Sequence, residues 1–216
     1  MIKYFFPYLF IYTFQFSPSL VANDLIITVY DQNKKALPNT VVKLLSNNSQ
    51  TKPQPQKAII DQVNKEYVPQ VIAITQGSKV TFPNKDNIKH HVYSFSDAKP
   101  FELPLYEGTP ANPVVFDNPG IVVLGCNIHD WMRGYIYVSD SPYIAITNES
   151  GKTSIKNFPD GNYQLELWHP QIKGDFQPVD FSFKDKSIIE KAISITLKPM
   201  VKIRRPKGRH GRRYEE

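Results

Sequence analysis

In Gly125-Cys126-Asn127-Ile128-His129-Asp130-Trp131-Met132, a thiol, an imidazole and a thioether recur every third residue. A tight loop between two strands can fold back so that all three converge on one point. A second imidazole would complete a set of two nitrogens, one thiolate and a weak axial sulfur, which is the donor set of a copper electron-transfer site. Soft sulfur favours Cu(I) and imidazole serves both oxidation states. A site that compromises between their geometries rearranges little when an electron moves.

Two residues, His90 and His91, are candidates for the missing imidazole. Neighbours in a strand point to opposite faces, so only one of them faces the site. Each piece alone has an ordinary reading: C-x-x-H is half a zinc site, a buried Met packs a core, and a His pair decorates a surface. Together they favour copper, because a structural zinc site takes four strong ligands and a thioether is a poor one.

Cys126 is the only cysteine, which excludes an internal disulfide. Its setting matters because the N-terminus reads as an export signal over residues 1–22. Lys3 is the only charge before Asp24, the apolar residues 5–16 follow, and Ser17-Pro18-Ser19-Leu20-Val21-Ala22 forms a small-residue cleavage region. The apolar core is short for a membrane anchor, and Pro7, Gln15 and Pro18 interrupt it. Cleavage is therefore expected, with the body outside the cytoplasm. A lone cysteine there needs burial, a partner chain or a bound metal.

The elements that must position these donors read as short strands. The 216 residues are 41% hydrophobic, with 18 prolines and many β-branched and aromatic residues, which suits strands joined by turns. Residues 25–30 and 40–45 read as a hairpin, followed by a surface loop to residue 57. Further strands are expected within residues 58–83, at 91–95, 114–116, 120–125 and 133–138, with residues 97–113 irregular. Together residues 23–139 form the first domain, a β-sandwich or barrel. Residues 140–199, with alternation at Tyr163, Leu165 and Leu167, form a smaller β unit packed on it.

Cys126-x-x-His129-x-x-Met132 resembles the ligand loop of the amicyanin-like cupredoxins. The segment Gly77-Ser-Lys-Val-Thr-Phe-Pro-Asn-Lys-Asp-Asn87, with His90-His91-Val92, is similar to the cupredoxin segment carrying the first histidine, commonly His-Asn-Val. Residues 24–170 resemble periplasmic proteins loosely named for methylamine utilisation. The resemblance implies an all-β, cupredoxin-like Greek-key sandwich in the periplasm, holding one copper through His90, Cys126, His129 and Met132. His91 stands where the family has an asparagine that ties the two ligand segments together. A histidine there makes the site pH-sensitive or takes the ligand role itself. Residues 148–168 resemble small transthyretin-like or carboxypeptidase-regulatory-like sandwiches.

Other residues have weaker assignments. Trp131 is a candidate apolar rim beside His129 for docking a redox partner. Glu102 reads as a solvated loop residue and His169 as an exposed strand end. Lys202, Arg204, Arg205, Lys207, Arg209, Arg212 and Arg213, less Glu215 and Glu216, place five of the six net positive charges in a tail over residues 200–216. That tail suits an anionic membrane or an acidic protein, or is a solvated tail without a binding role, while export and the lack of an aromatic-interleaved basic patch argue against nucleic acid. No paired carboxylates, Ser-His-Asp arrangement or phosphate-cradling glycine loop accompanies the donors, so a one-electron carrier is expected rather than an enzyme with a small-molecule substrate. A copper-handling accessory protein is the alternative.

Overall fold

The computed structural model describes residues 22–46 and 51–199, so the expected export signal and basic tail lie outside the described residues. All regular elements described are β-strands. In chain order they are β1 (Asn23–Tyr30), β2 (Val41–Ser46), β3 (Lys57–Ile59), β4 (Asp61–Val63), β5 (Glu66–Val68), β6 (Val71–Thr75), β7 (Ser78–Thr81), β8 (His90–Ser94) and β9 (Phe101–Tyr106). There follow β10 (Val114–Phe116), β11 (Gly120–Gly125), β12 (Arg133–Ser139), β13 (Ile144–Ile146), β14 (Lys152–Phe158), β15 (Gly161–Trp168), β16 (Val179–Phe183) and β17 (Ile188–Ser194). Among the described residues no helix is long and apolar enough to cross a membrane.

A five-stranded sheet of order β6-β12-β11-β8-β9 and a three-stranded sheet of order β10-β7-β3 share one core. Alternation builds it: Val122 and Leu124 of β11 are fully buried, while Ile121 and Val123 between them face outward. Val80, Phe82, Val92, Phe116 and Ile136 complete its centre. Each such side chain contributes about 1.5–3 kcal/mol on leaving water. Cys126 and Met132 belong to the same cluster, so the sulfur donors stand on the rim of a packed core.

The structure parts from the expected division at its start. β1 and β2 do not form a hairpin with each other. β1 lies between β14 and β17, and β2 lies between β13 and β15. Leu25, Ile27, Val29, Val42 and Leu44 therefore pack with Phe158, Leu165, Leu167 and Phe183 in a second core. The reason is area: the strands of residues 140–199 bury too little apolar surface without a second layer, and Val42 and Leu44 give β2 an apolar face to add to it. The metal-donor sandwich is thus inserted between β2 and β13.

Two other expectations change. Residues 101–106 form β9 despite Pro104, which is tolerated because β9 is an edge strand. A short hairpin, β4–β5, joins the first sandwich through the two-residue turn Asn64-Lys65, both with positive φ (55° and 62°), the conformation of a type I′ turn. Between the sandwiches, Trp168 packs on Tyr135 and Tyr137 with ring centroids 5.9 and 5.8 Å apart. Beside it Lys43 is buried between Glu166 (2.8 Å) and Asp140 (3.2 Å). Burial opposes its charge, but the Glu166 hydrogen bond and the charges around it raise its pKa above the ordinary lysine range.

Candidate metal centre

β8 begins with His90, and β11 delivers Cys126 at its end. The loop from Cys126 to Met132 closes in two turns, with the His129 amide donating to the Cys126 carbonyl (3.4 Å) and the Met132 amide to the His129 carbonyl (2.9 Å). These turns bring three donors together. His90 Nδ1 and His129 Nδ1 each lie 3.8 Å from Cys126 Sγ, and the three donor atoms lie within 4.8 Å of one another. Met132 is buried in the hydrophobic core that also holds Cys126, and His90 is wholly inaccessible to solvent. Thiolate and imidazole bonds of about 2.3 and 2.0 Å at a trigonal angle separate sulfur from nitrogen by about 3.7 Å, so the observed spacing fits a single ion among the three.

The orientation of His90 is fixed from behind. Its Nε2–H meets Asp86 Oδ2 at 2.7 Å, which leaves Nδ1 facing the thiol. Asp86 in turn accepts the backbone N–H groups of Asn64 (2.7 Å) and Lys65 (2.9 Å), the two residues of the β4–β5 turn. Burial alone would raise the Asp86 pKa, but these hydrogen bonds, His90 foremost, hold it below the ordinary carboxylate range. The loop carrying Asp86 is shaped by Asn84, whose amide donates to the carbonyls of Ile88 (2.7 Å) and Tyr106 (2.9 Å). Burial, then the nearby His90 and Lys65, lowers the pKa of His129 and favours its neutral, metal-binding form.

Gly125 and Gly134 admit two tyrosines against the ligand strands. A Cβ at Gly125 would stand 2.6 Å from Tyr93 Cζ, and one at Gly134 3.0 Å from Tyr67 Cβ. Tyr67 lies in the short β5, and its hydroxyl donates to the Gly125 carbonyl at 2.9 Å, 3.5 Å from the His91 carbonyl. Tyr67 thus bridges the two ligand-bearing segments, the task that the resemblance gave to position 91. Burial and the neighbouring Cys126 push its pKa far above the ordinary phenol value.

His90 alone of the adjacent pair joins the cluster. The His91 ring points to the other face, where Nε2 meets Glu102 Oε1 at 2.8 Å and Nδ1 is buried without a partner. Glu102, read as merely solvated, is this pairing group on β9. Trp131 lies beside His129, with ring centroids 5.1 Å apart. Asp130 is exposed. His169 is buried rather than exposed, and its Nδ1 accepts the Gln171 amide at 3.1 Å. Asp86, Asn84 and Tyr67 escaped sequence reasoning. Asn84 and Asp86 lay within the segment similar to the one carrying the first cupredoxin histidine, but no role was assigned to either.

A cleft of about 680 Å³ opens beside the centre, lined by Tyr93, Phe95, Val123, Cys126, Asp130 and Met132 among others. Phe95, 86% exposed, stands at its mouth.

No model of a protein family and no curated protein matches the chain. Several solved structures are similar to it over part of the chain. It is similar to a purple cupredoxin from Nitrosopumilus maritimus at 27% identity, covering 38% of this chain and 96% of that one, with a TM-score of 0.33. An amicyanin variant in the Cu(I) form matches at 19% identity over 41% of this chain and 97% of that one, TM-score 0.36. The copper-containing nitrite reductase of Thermus scotoductus SA-01 matches at 24% identity over 44% of this chain, TM-score 0.36. This last match spans 24% of the reductase chain. What the centre does chemically is therefore read from its own donors.

Proposed function

We propose that the chain is an exported type 1 copper protein that carries single electrons between redox proteins. The observation behind this reading is the convergence of His90 Nδ1, Cys126 Sγ and His129 Nδ1, with Met132 buried alongside. Two imidazoles, a thiolate and a thioether are the donors of blue-copper sites. Bound copper supplies the Cu(II)/Cu(I) couple. The protein's part is to hold the donors still: Asp86 locks the His90 ring, Tyr67 ties β11 to β8, and the packed core fixes Cys126 and Met132 in place. His129, with Trp131 beside it, is the proposed exit for the electron, and Met132 is the proposed axial ligand that tunes the potential.

The test is a visible spectrum of the purified mature protein with one equivalent of Cu(II), before and after ascorbate. An intense thiolate-to-copper band that bleaches on reduction and returns on oxidation is expected, and Cys126→Ser should abolish it. A colourless protein, or a band unchanged in Cys126→Ser, rejects the reading. The open cleft reaching Cys126 and Met132 favours one second reading, copper handling by transfer to another protein. A fast copper off-rate with slow electron self-exchange would select it.

A further inference from the structure

Met132 also walls a second, smaller cavity of about 180 Å³, which it shares with Glu66, Tyr67, Gln70, Trp131 and Arg133. Two donors in this lining pair with no described residue, one of them buried and the other, Arg133, exposed. The Trp131 Nε1–H is buried and has no hydrogen-bond acceptor among the described residues. The Arg133 guanidinium enters no ion pair among the described residues. An indole N–H left unpaired in a protein interior is costly, because its desolvation is not repaid, so an acceptor is called for. The volume admits several water-sized atoms, at about 30 Å³ each.

We propose that this cavity binds a small monovalent anion of the size of chloride, held between the Trp131 indole N–H and the Arg133 guanidinium against Met132. The donor chemistry fits: one neutral N–H and one fixed cation, while the Tyr67 hydroxyl in the lining is already committed to the Gly125 carbonyl. Glu66 stands in the same lining and repels further negative charge, which limits the guest to a single charge and disfavours phosphate and sulfate. Gln70 offers a side-chain amide as a third donor.

Binding itself does not depend on the copper reading; its consequence for the metal does. The oxidised centre carries one more positive charge than the reduced centre, so an anion beside Met132 binds the oxidised protein more tightly. Linkage makes the effect reciprocal: the anion lowers the reduction potential. A tenfold preference for the oxidised state corresponds to about 59 mV for one electron.

The chain has two tryptophans, so the metal-free protein shows two indole N–H resonances, assigned with Trp131→Phe. Chloride replaces gluconate at constant ionic strength in the full chain. The Trp131 resonance is expected to shift saturably while Trp168 stays in place. Arg133→Gln should weaken the apparent affinity at least tenfold, and Arg133→Lys, which keeps the charge, should retain most of it. A Trp131 resonance that does not move, or moves alike in wild type and Arg133→Gln, means that the cavity holds only water and overturns the proposal. If chloride binds but copper does not, the copper reading falls and the anion site stands. If copper binds with a blue band and the resonance never responds, the reverse holds.

Discussion

Asp86 supplies no atom to the donor cluster, yet it determines which nitrogen of His90 is free. Its carboxylate holds Nε2–H at 2.7 Å and is itself pinned by two amides of the β4–β5 turn. Asp86→Asn keeps an acceptor but loses the charge and one acceptor position. Loss of such an outer partner commonly costs 10–100-fold in metal affinity. Copper binding weakened by about that factor is therefore expected in Asp86→Asn, measured by competition with a chromophoric chelator, with the fold intact by circular dichroism. At this scale the sequence was readable where donors share one loop: Cys126, His129 and Met132 announce themselves by spacing. His90 was readable only as one of two. Asp86 and Tyr67 were hidden because Asp86 meets the β4–β5 turn and Tyr67 of β5 meets Gly125 across more than twenty residues of chain, and no local pattern encodes such a meeting.

At the scale of elements, period-two alternation explains most of the molecule, including the buried Val122 and Leu124 of β11 and the opposite aims of His90 and His91. It does not say which strand lies beside which. The polar turn between β1 and β2 looks like a hairpin, but pairing partners are settled by which layer leaves apolar area uncovered. The end of β11 offers a sharper test of packing. Gly125 precedes Cys126, and Tyr93 fills the space that a side chain would need. Gly125→Ala is expected to lower stability by about 1–3 kcal/mol through overpacking, read from denaturant midpoints. Adding Tyr93→Ala should restore much of the loss, because the obstructing ring is then gone. If the double variant is less stable than Gly125→Ala alone by the full cost of Tyr93→Ala, the clash is not the cause.

At the scale of the whole molecule, the junction between the sandwiches carries a titrating group. His169 is buried beside a cavity lined by Asn39, Gln70, Val71 and Tyr135, which belong to both halves of the molecule. Burial lowers its pKa below the ordinary 6.5. The unfolded chain therefore takes up this proton first as pH falls, so the stability due to the neutral ring is complete above about pH 6.5 and lost between that value and the lower folded pKa. Thermal melts from pH 7.5 to 5 are expected to show a steeper loss in wild type than in His169→Gln. Parallel curves would mean that the ring titrates alike in both states.

The insertion also sets an order of events as the chain is made. Asn23 of β1 meets the Phe158 segment across 135 positions, whereas β3 to β12 find all their sheet partners among themselves. Closing long loops costs entropy before contacts repay it. The donor-bearing sandwich can therefore complete itself while β1 and β2 still wait, unpaired, for strands not yet synthesised. A chain interrupted after residue 139 would hold a finished metal pocket beside two strands with open edges.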